Sequence, residues 1–147
     1  MNCANLGLIV TALLWCGQAM GNCWESAGRQ FSVEPKLLYA IAEVESGLNT
    51  NAINHNKDGT RDVGVMQINS IHLPRLSAKG ITERHLIEEP CVTINVGAQI
   101  LAEFVARHGY NWTAVGAYNA GSGEGRQAAR MQYAHKVWLR YRALQDW

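Results

Sequence analysis

Proline and glycine bracket the main apolar-periodic segments of this chain at spacings that suit helices. PKLLYAIAEVES, residues 35–46, begins with Pro35, which suits a first helical turn, and stops before Gly47, a natural helix terminator. The longest apolar-periodic segment runs from Cys91 to His108, after Pro90 and before Gly109, with a stripe of Ile94, Ala98, Leu101 and Val105. Trp112–Ala120 predicts a further helix closed by Gly121. Gln127–Leu144 predicts the last, with Met131, Trp138 and Tyr141 as anchors and its basic residues largely outside. Shorter helices are expected at Cys23–Gln30, His72–Ser77 and Thr82–Glu88. Between them lies NTNAINHNKDGTRD, rich in Asn, Asp and Gly, and then VGVMQINS, where apolar and polar residues partly alternate. Asp58-Gly59 is a hairpin turn signal, so residues 52–69 read as an irregular loop with a small β-hairpin. The fold class is mainly α, with that hairpin making it α+β. At 147 residues, without repeat or linker, the chain predicts one domain.

The first 21 residues contain no Asp, Glu, Lys, Arg or His, and Leu6–Cys16 is nearly all apolar. With small residues at Ala19-Met20-Gly21, residues 1–21 read as a signal peptide cut after Gly21. The apolar run is short for a membrane span. An uncleaved anchor is the alternative. A lipoprotein fits worse, because Trp15 and Asn22 are poor residues before a lipidated Cys16 or Cys23. Removal of Cys3 and Cys16 leaves residues 22–147 with Cys23 and Cys91 in an oxidising compartment, where a disulfide is expected and two free thiols are the alternative. Such a bridge closes a loop of about 68 residues, worth roughly 4 kcal/mol in the chain-entropy model. Net charge is +1, but Arg126, Lys136, Arg140 and Arg142 with Arg130 crowd the C-terminal segment against Asp146 alone. That face suits an anionic polymer or plain solvent.

The segment AEVESGLNT contains the oddest placement. On a helical wheel at about 100° per residue, Leu37, Ile41 and Val44 share one face. Glu45 follows Ile41 by four residues and falls on that apolar stripe, whereas Glu43 falls opposite, near Lys36. Burial and the negative end of the helix dipole both disfavour a charged Glu45, and a carboxylic acid kept protonated near neutrality can serve as a general acid. If the helix frays after Val44, Glu45 points into water instead.

Asp62 follows a turn, and a hairpin folded over the helix end would bring it towards Glu45. Two carboxyl groups flanking a cleft are the equipment for cleaving a glycosidic bond. Alternatively, Asp62 is a turn acid bonding backbone amides. NHNKDGTRD also matches the first half of an EF-hand loop, but Asn54 stands at position one and Val65 at position twelve, so no metal is expected. The histidines (55, 72, 85, 108, 135) lack zinc-ligand spacing, and there is no phosphate loop or nucleophile elbow. GSGEG at 121–125 reads as a turn.

Together, ESGLN, DVGVMQINS and AYNAGSG resemble the signatures of the lytic transglycosylase family with a soluble-transglycosylase, lysozyme-like domain, over about residues 22–144. The chain looks most similar to small secreted members that accompany type III secretion, pili or conjugation machinery. By that resemblance Glu45 is the catalytic acid. Gly64, Met66, Gln67 and Asn69 match the segment lining the substrate groove, and Tyr118, beside Asn119, matches the tyrosine that orients the catalytic carboxyl. Residues 45–70 also look like the active-site segment of animal c-type lysozymes, whose second catalytic carboxylate falls on Asp62. Typical lytic transglycosylases lack an acid there. The separated roles of two lysozyme carboxylates are a standard example of pKa tuning.

The resemblance implies cleavage of the β-1,4 bond from N-acetylmuramic acid to N-acetylglucosamine in peptidoglycan, with a 1,6-anhydro product and no cofactor. Gln67 and Asn69 would hold acetamido groups, and Asp62 would stabilise developing positive charge. A hydrolytic muramidase using Glu45 and Asp62 is the alternative. A non-catalytic wall-binding module fits less well, since such modules usually lose the acid. Expected partners are peptidoglycan strands and a component of a secretion, pilus or conjugation machine. No nucleic acid and no membrane span after signal cleavage are expected. The protein would be exported to the periplasm.

Overall fold

The computed structural model describes residues 12–144, with side chains from Met20 onward. Most of the expected signal segment, Cys3 included, lies outside the described residues or side chains. Helix α1 runs from Ala12 to Phe31, through the expected cleavage position. Helix α2 spans Pro35–Ser46, between Pro35 at its first turn and Gly47 at φ 61°. No helix among the described residues is long and apolar enough to cross a membrane.

Where one hairpin was expected, three strands form: β1 (Ile53–His55), β2 (Arg61–Val63) and β3 (Ile68–Asn69), antiparallel in that order. Asp62 pairs with Asn54 on one side and Asn69 on the other. The third strand arises from Gly64–Gln67, a second turn that lacks an Asn-Gly or Asp-Gly signal. A 3-10 turn at Ser70–His72 leads into α3 (Leu73–Ser77), and Thr82 caps α4 (Glu83–Glu88) by accepting from the His85 amide. Helices α5 (Pro90–His108), α6 (Trp112–Ala120) and α7 (Gln127–Ala143) follow.

Helix α5 is the central post. Its Ile94, Ala98 and Leu101 are fully buried, and it packs against α1, α4, α6 and β3. Helix α6 is apolar on nearly every side and lies between α5 and α7. At Gly116 the α7 backbone comes so close that a Cβ would stand 2.2 Å from the Arg130 carbonyl oxygen, so only glycine fits.

Helix α7 is rotated from its expected setting. Its buried residues are Arg130, Tyr133, Ala134 and Val137, while Met131 is exposed and Trp138 and Tyr141 are half-buried. The buried positions repeat at helical spacing, but one is a cation. Arg130 keeps its charge inside by donating from Nη1 to the Gly121 and Gly123 carbonyls, both at 3.0 Å, and from Nε to Gln127. A buried arginine disguised the stripe.

Cys23 and Cys91 form the expected disulfide, with Cα atoms 5.1 Å apart, tying α1 to the start of α5. Replacing both cysteines with alanine should lower stability by about 2–4 kcal/mol. The measurement is the denaturant midpoint at constant m-value; an unchanged midpoint would show that α1 needs no tether.

Candidate active site

Helix α2 places Glu45 in its last turn, one residue before a stitch to the sheet. Ser46 Oγ donates to the Val65 carbonyl at 2.7 Å, with the Ala42 carbonyl of its own helix a more distant acceptor at 3.2 Å. The helix therefore does not fray after Val44. Leu37, Leu38 and Ile41 are buried on the same side, as the wheel required. Glu43 is partly exposed beside Lys136 and Arg140 of α7, and Lys36 lies over the Tyr141 ring instead.

Glu45 opens onto a groove of about 870 Å³ between the sheet and the helices α5 and α6, together with Asp62, Asn69 and Asn119. Burial raises its carboxyl from the ordinary 4.5 to about 7; a hydrogen bond from Tyr133 pulls the other way, and the negative charge of Asp62 adds to the rise. Tyr133 Oη donates to Glu45 Oε1 at 2.5 Å. The Tyr133 phenol stays protonated because burial, and then Glu45, push its pKa well above the usual value.

Tyr133 is the residue that sequence reasoning missed. The hydroxyl expected on Glu45 was that of Tyr118, which instead donates to the Met66 carbonyl at 2.8 Å. A signal existed. Tyr133 lies three residues after Arg130 on the buried stripe, and a buried phenol needs an acceptor. Glu45 was the unexplained acceptor.

Asp62 is held at both oxygens. Asn69 Nδ2 donates to Oδ1 at 2.8 Å and Asn56 Nδ2 to Oδ2 at 3.0 Å. It is thus a side chain fixed by amides in the groove wall rather than one capping backbone. Asp58 plays the turn-acid part, its Oδ1 accepting from the amide and hydroxyl of Thr60. Among the described residues no three His, Cys, Asp or Glu side chains converge as metal ligands.

Gly64, Met66 and Gln67 build the groove floor from behind. Gly64 has φ 76°, and a Cβ there would meet the Leu86 carbonyl oxygen at 2.2 Å. Met66 is wholly buried and packs on Gly97. Gln67 holds φ 50°, a costly conformation for a side-chain-bearing residue. Its amide offsets that strain by donating to Gly64 and Ala52 carbonyls and accepting from Asn54 at 2.6 Å. The amides of Gln67 and Asn69 are thus engaged in holding the groove wall. Asn119 lines the groove, is exposed and has no side-chain hydrogen bond among the described residues, so its side-chain amide is free for a ligand.

The sequence matches the family described as Transglycosylase SLT domain over residues 22–140. It is 47% identical over 137 residues to "Invasion protein IagB" of Salmonella typhimurium, covering 93% of this chain and 86% of that protein. It is 43% identical over 120 residues to "Protein IpgF" of Shigella flexneri, covering 82% and 79%. Among solved structures, the lytic transglycosylase Slt from Pseudomonas aeruginosa superimposes with a TM-score of 0.64 at 22% identity. That match covers 82% of this chain but 22% of that much longer one, and shows the shared lysozyme-like fold.

The protonated Glu45 is favoured by the fold, so its stabilising contribution is complete below pH 4.5 and is lost as pH rises through 7. Glu45→Gln removes that loss. It should match the parent near pH 4 and exceed it by about 3 kcal/mol at pH 8 by chemical denaturation; parallel pH curves for the two proteins would refute a buried acid.

Tyr133→Phe deletes the bond that lowers the Glu45 pKa. The alkaline limb of any activity profile should move above its parent position while kcat falls roughly 10- to 100-fold. A drop in kcat with an unmoved limb would mean that Tyr133 acts only through packing.

Proposed function

This chain belongs to the transglycosylase SLT-domain family and is a peptidoglycan lytic transglycosylase, and from that premise we propose that it cuts the N-acetylmuramic acid–β-1,4–N-acetylglucosamine bond to leave a 1,6-anhydromuramyl end. The observation that carries the reading is Glu45: a carboxyl buried at the groove, protonated to about pH 7, with a phenol fixing its orientation. A group half-charged near neutrality can both give and take a proton.

Glu45 protonates the leaving glycosidic oxygen. The substrate's acetamido oxygen assists at the anomeric carbon, as in other substrate-assisted glycosidases. Glu45, now charged, accepts the proton of the muramyl 6-hydroxyl as that oxygen closes on the anomeric carbon. Asp62, held by Asn56 and Asn69, stabilises the positive charge that develops on the sugar. The free amide of Asn119 is the groove's candidate for a direct sugar contact.

One observation favours a second reading. Asp62 is rigidly presented, as a nucleophile or a water-orienting base would need to be. In that case water enters and the enzyme is a muramidase.

The setting is exported and periplasmic, with the signal removed after Gly21. The Cys23–Cys91 bridge supports this, because such bridges persist in oxidising compartments. The resemblance to proteins named for invasion supports a role in opening local gaps in the wall for a secretion, pilus or conjugation apparatus.

Digestion of purified sacculi followed by mass spectrometry tests the chemistry. Anhydromuramyl ends are expected throughout, Glu45→Gln should release none, and Asp62→Asn should slow release about 10- to 100-fold. Reducing ends throughout would replace transglycosylation with hydrolysis.

A further inference from the structure

His72 lines the groove that holds Glu45 and Asp62, yet its ring makes no hydrogen bond and no ion pair among the described residues. By contrast, His85 accepts from the Thr82 amide and His108 meets the Ser122 hydroxyl at 2.7 Å. The His72 ring is half-buried, and burial pushes its pKa below the usual histidine value. Arg75 on α3 adds to the fall and Glu103 on α5 opposes it. At neutral pH the imidazole is therefore uncharged, with one N–H to donate and one lone pair to accept. A polar group without a partner at a half-buried position calls for an explanation.

The surroundings are apolar. Ile71, the chain neighbour of His72, lines the same groove and is 65% exposed. Helix α5 contributes Ile100 and Phe104, one turn apart on one face. The turn that carries Ile71 and His72 is also firmly held. Asn69 Oδ1 accepts from the Ile71 amide at 3.0 Å while Asn69 Nδ2 holds Asp62. Ser70 Oγ accepts from the Arg61 amide at 3.1 Å. Just beyond, Arg75 Nη1 donates to Glu103 Oε1 at 2.6 Å, which ties α3 to α5 next to Phe104 in the chain. A side chain presented on so fixed a turn spends little entropy when it binds a ligand. Through Asn69 the same side chain sets both Asp62 and the turn that presents His72.

The chemistry of these groups defines what they can hold. An uncharged donor and acceptor beside apolar side chains suits an uncharged group that carries an acceptor, a donor and a methyl. The acetamido group of an N-acetylated sugar has all three. A charged ligand gains nothing comparable, because Arg75 and Glu103 are already paired with each other.

We propose that His72, with the apolar surface of Ile71 and Phe104, forms a subsite that recognises the acetamido group of one sugar in the glycan strand. The imidazole bonds the amide, and the apolar side chains take the methyl. The proposal rests on the glycan-cleaving reading above and names the residues that select the N-acetylated form of the strand.

Two uncharged β-1,4 strands test it by calorimetric titration of the Glu45→Gln protein: tetra-N-acetylchitotetraose, and cellotetraose, which has hydroxyls in place of the acetamido groups. The first should bind about 10-fold or more tightly than the second, and its addition should shift the NMR signals of the His72 ring. Adding His72→Ala should weaken chitotetraose binding about 10-fold and leave cellotetraose binding unchanged. His72→Gln, which keeps a donor and an acceptor, should restore most of the loss; His72→Phe, which keeps only the ring, should not, although it would if His72 merely packed. With Glu45 intact, His72→Ala should raise KM on sacculi several-fold at a nearly unchanged kcat. Four results would overturn the subsite: equal affinity for the two strands, no chitotetraose binding, unmoved His72 signals, or rescue by His72→Phe. Each leaves Glu45-dependent cleavage of sacculi standing. Sacculi left uncut by the parental protein would instead overturn the glycan-cleaving reading.

Discussion

The molecule is arranged around the difficulty of burying one carboxyl group. Glu45 stands in the last turn of α2, half-buried at the wall of the groove. A charged carboxylate there is penalised by burial, and Asp62 makes the penalty larger. Among the described residues one donor compensates, the Tyr133 hydroxyl, and it is delivered by α7, 88 residues later in the chain. For that hydroxyl to arrive, α7 must lie close against α2 and α6. Gly116 permits the approach to α6, and the guanidinium of Arg130 locks it by bonding the loop between the two helices. The helical frame therefore serves a single short contact at the groove.

The opposite wall depends on a turn that is individually unfavourable. Gly64 and Gln67 both take positive φ, and the strain at Gln67 is held by three side-chain hydrogen bonds. Two further bonds reach the same turn from outside, Ser46 to Val65 and Tyr118 to Met66. Each comes from a helix flanking the groove. The turn is thus where the helical and sheet walls are fixed relative to each other, and where the position of Asp62 relative to Glu45 is decided.

The helices were legible because their signals are local. Pro35 and Gly47 bracket α2, and the stripe on α5 repeats within a single helix. Glu45 was legible for the same reason, since a charge on an apolar stripe is visible on a wheel. What failed was long-range or disguised. The third strand depends on the Gly64–Gln67 turn, which is stable only with tertiary hydrogen bonds. The rotation of α7 was hidden because Arg130 occupies a core position that a sequence pattern assigns to solvent. The wall-building bonds of Gln67, Asn69 and Tyr118 were not legible, because a polar residue in a groove-lining motif can as easily hold the wall as the ligand. The residue type cannot distinguish the two, whereas the bond partners do.

The coupling between the two acids gives the proposed chemistry its direction. With its proton in place, Glu45 is neutral and Asp62 faces no like charge. Donation of that proton creates a second negative charge in the same groove just as the sugar becomes positive, so both carboxylates then oppose the new charge. Once the sugar is neutralised, the repulsion from Asp62 and the burial that raised the Glu45 pKa act together to draw a proton back. In the transglycosylation reading the nearest supply is the hydroxyl that closes the ring. On this view Asp62 does not need to touch water to contribute. Its charge makes the deprotonated state of Glu45 costly, and the amides of Asn56 and Asn69 keep that charge where Glu45 feels it.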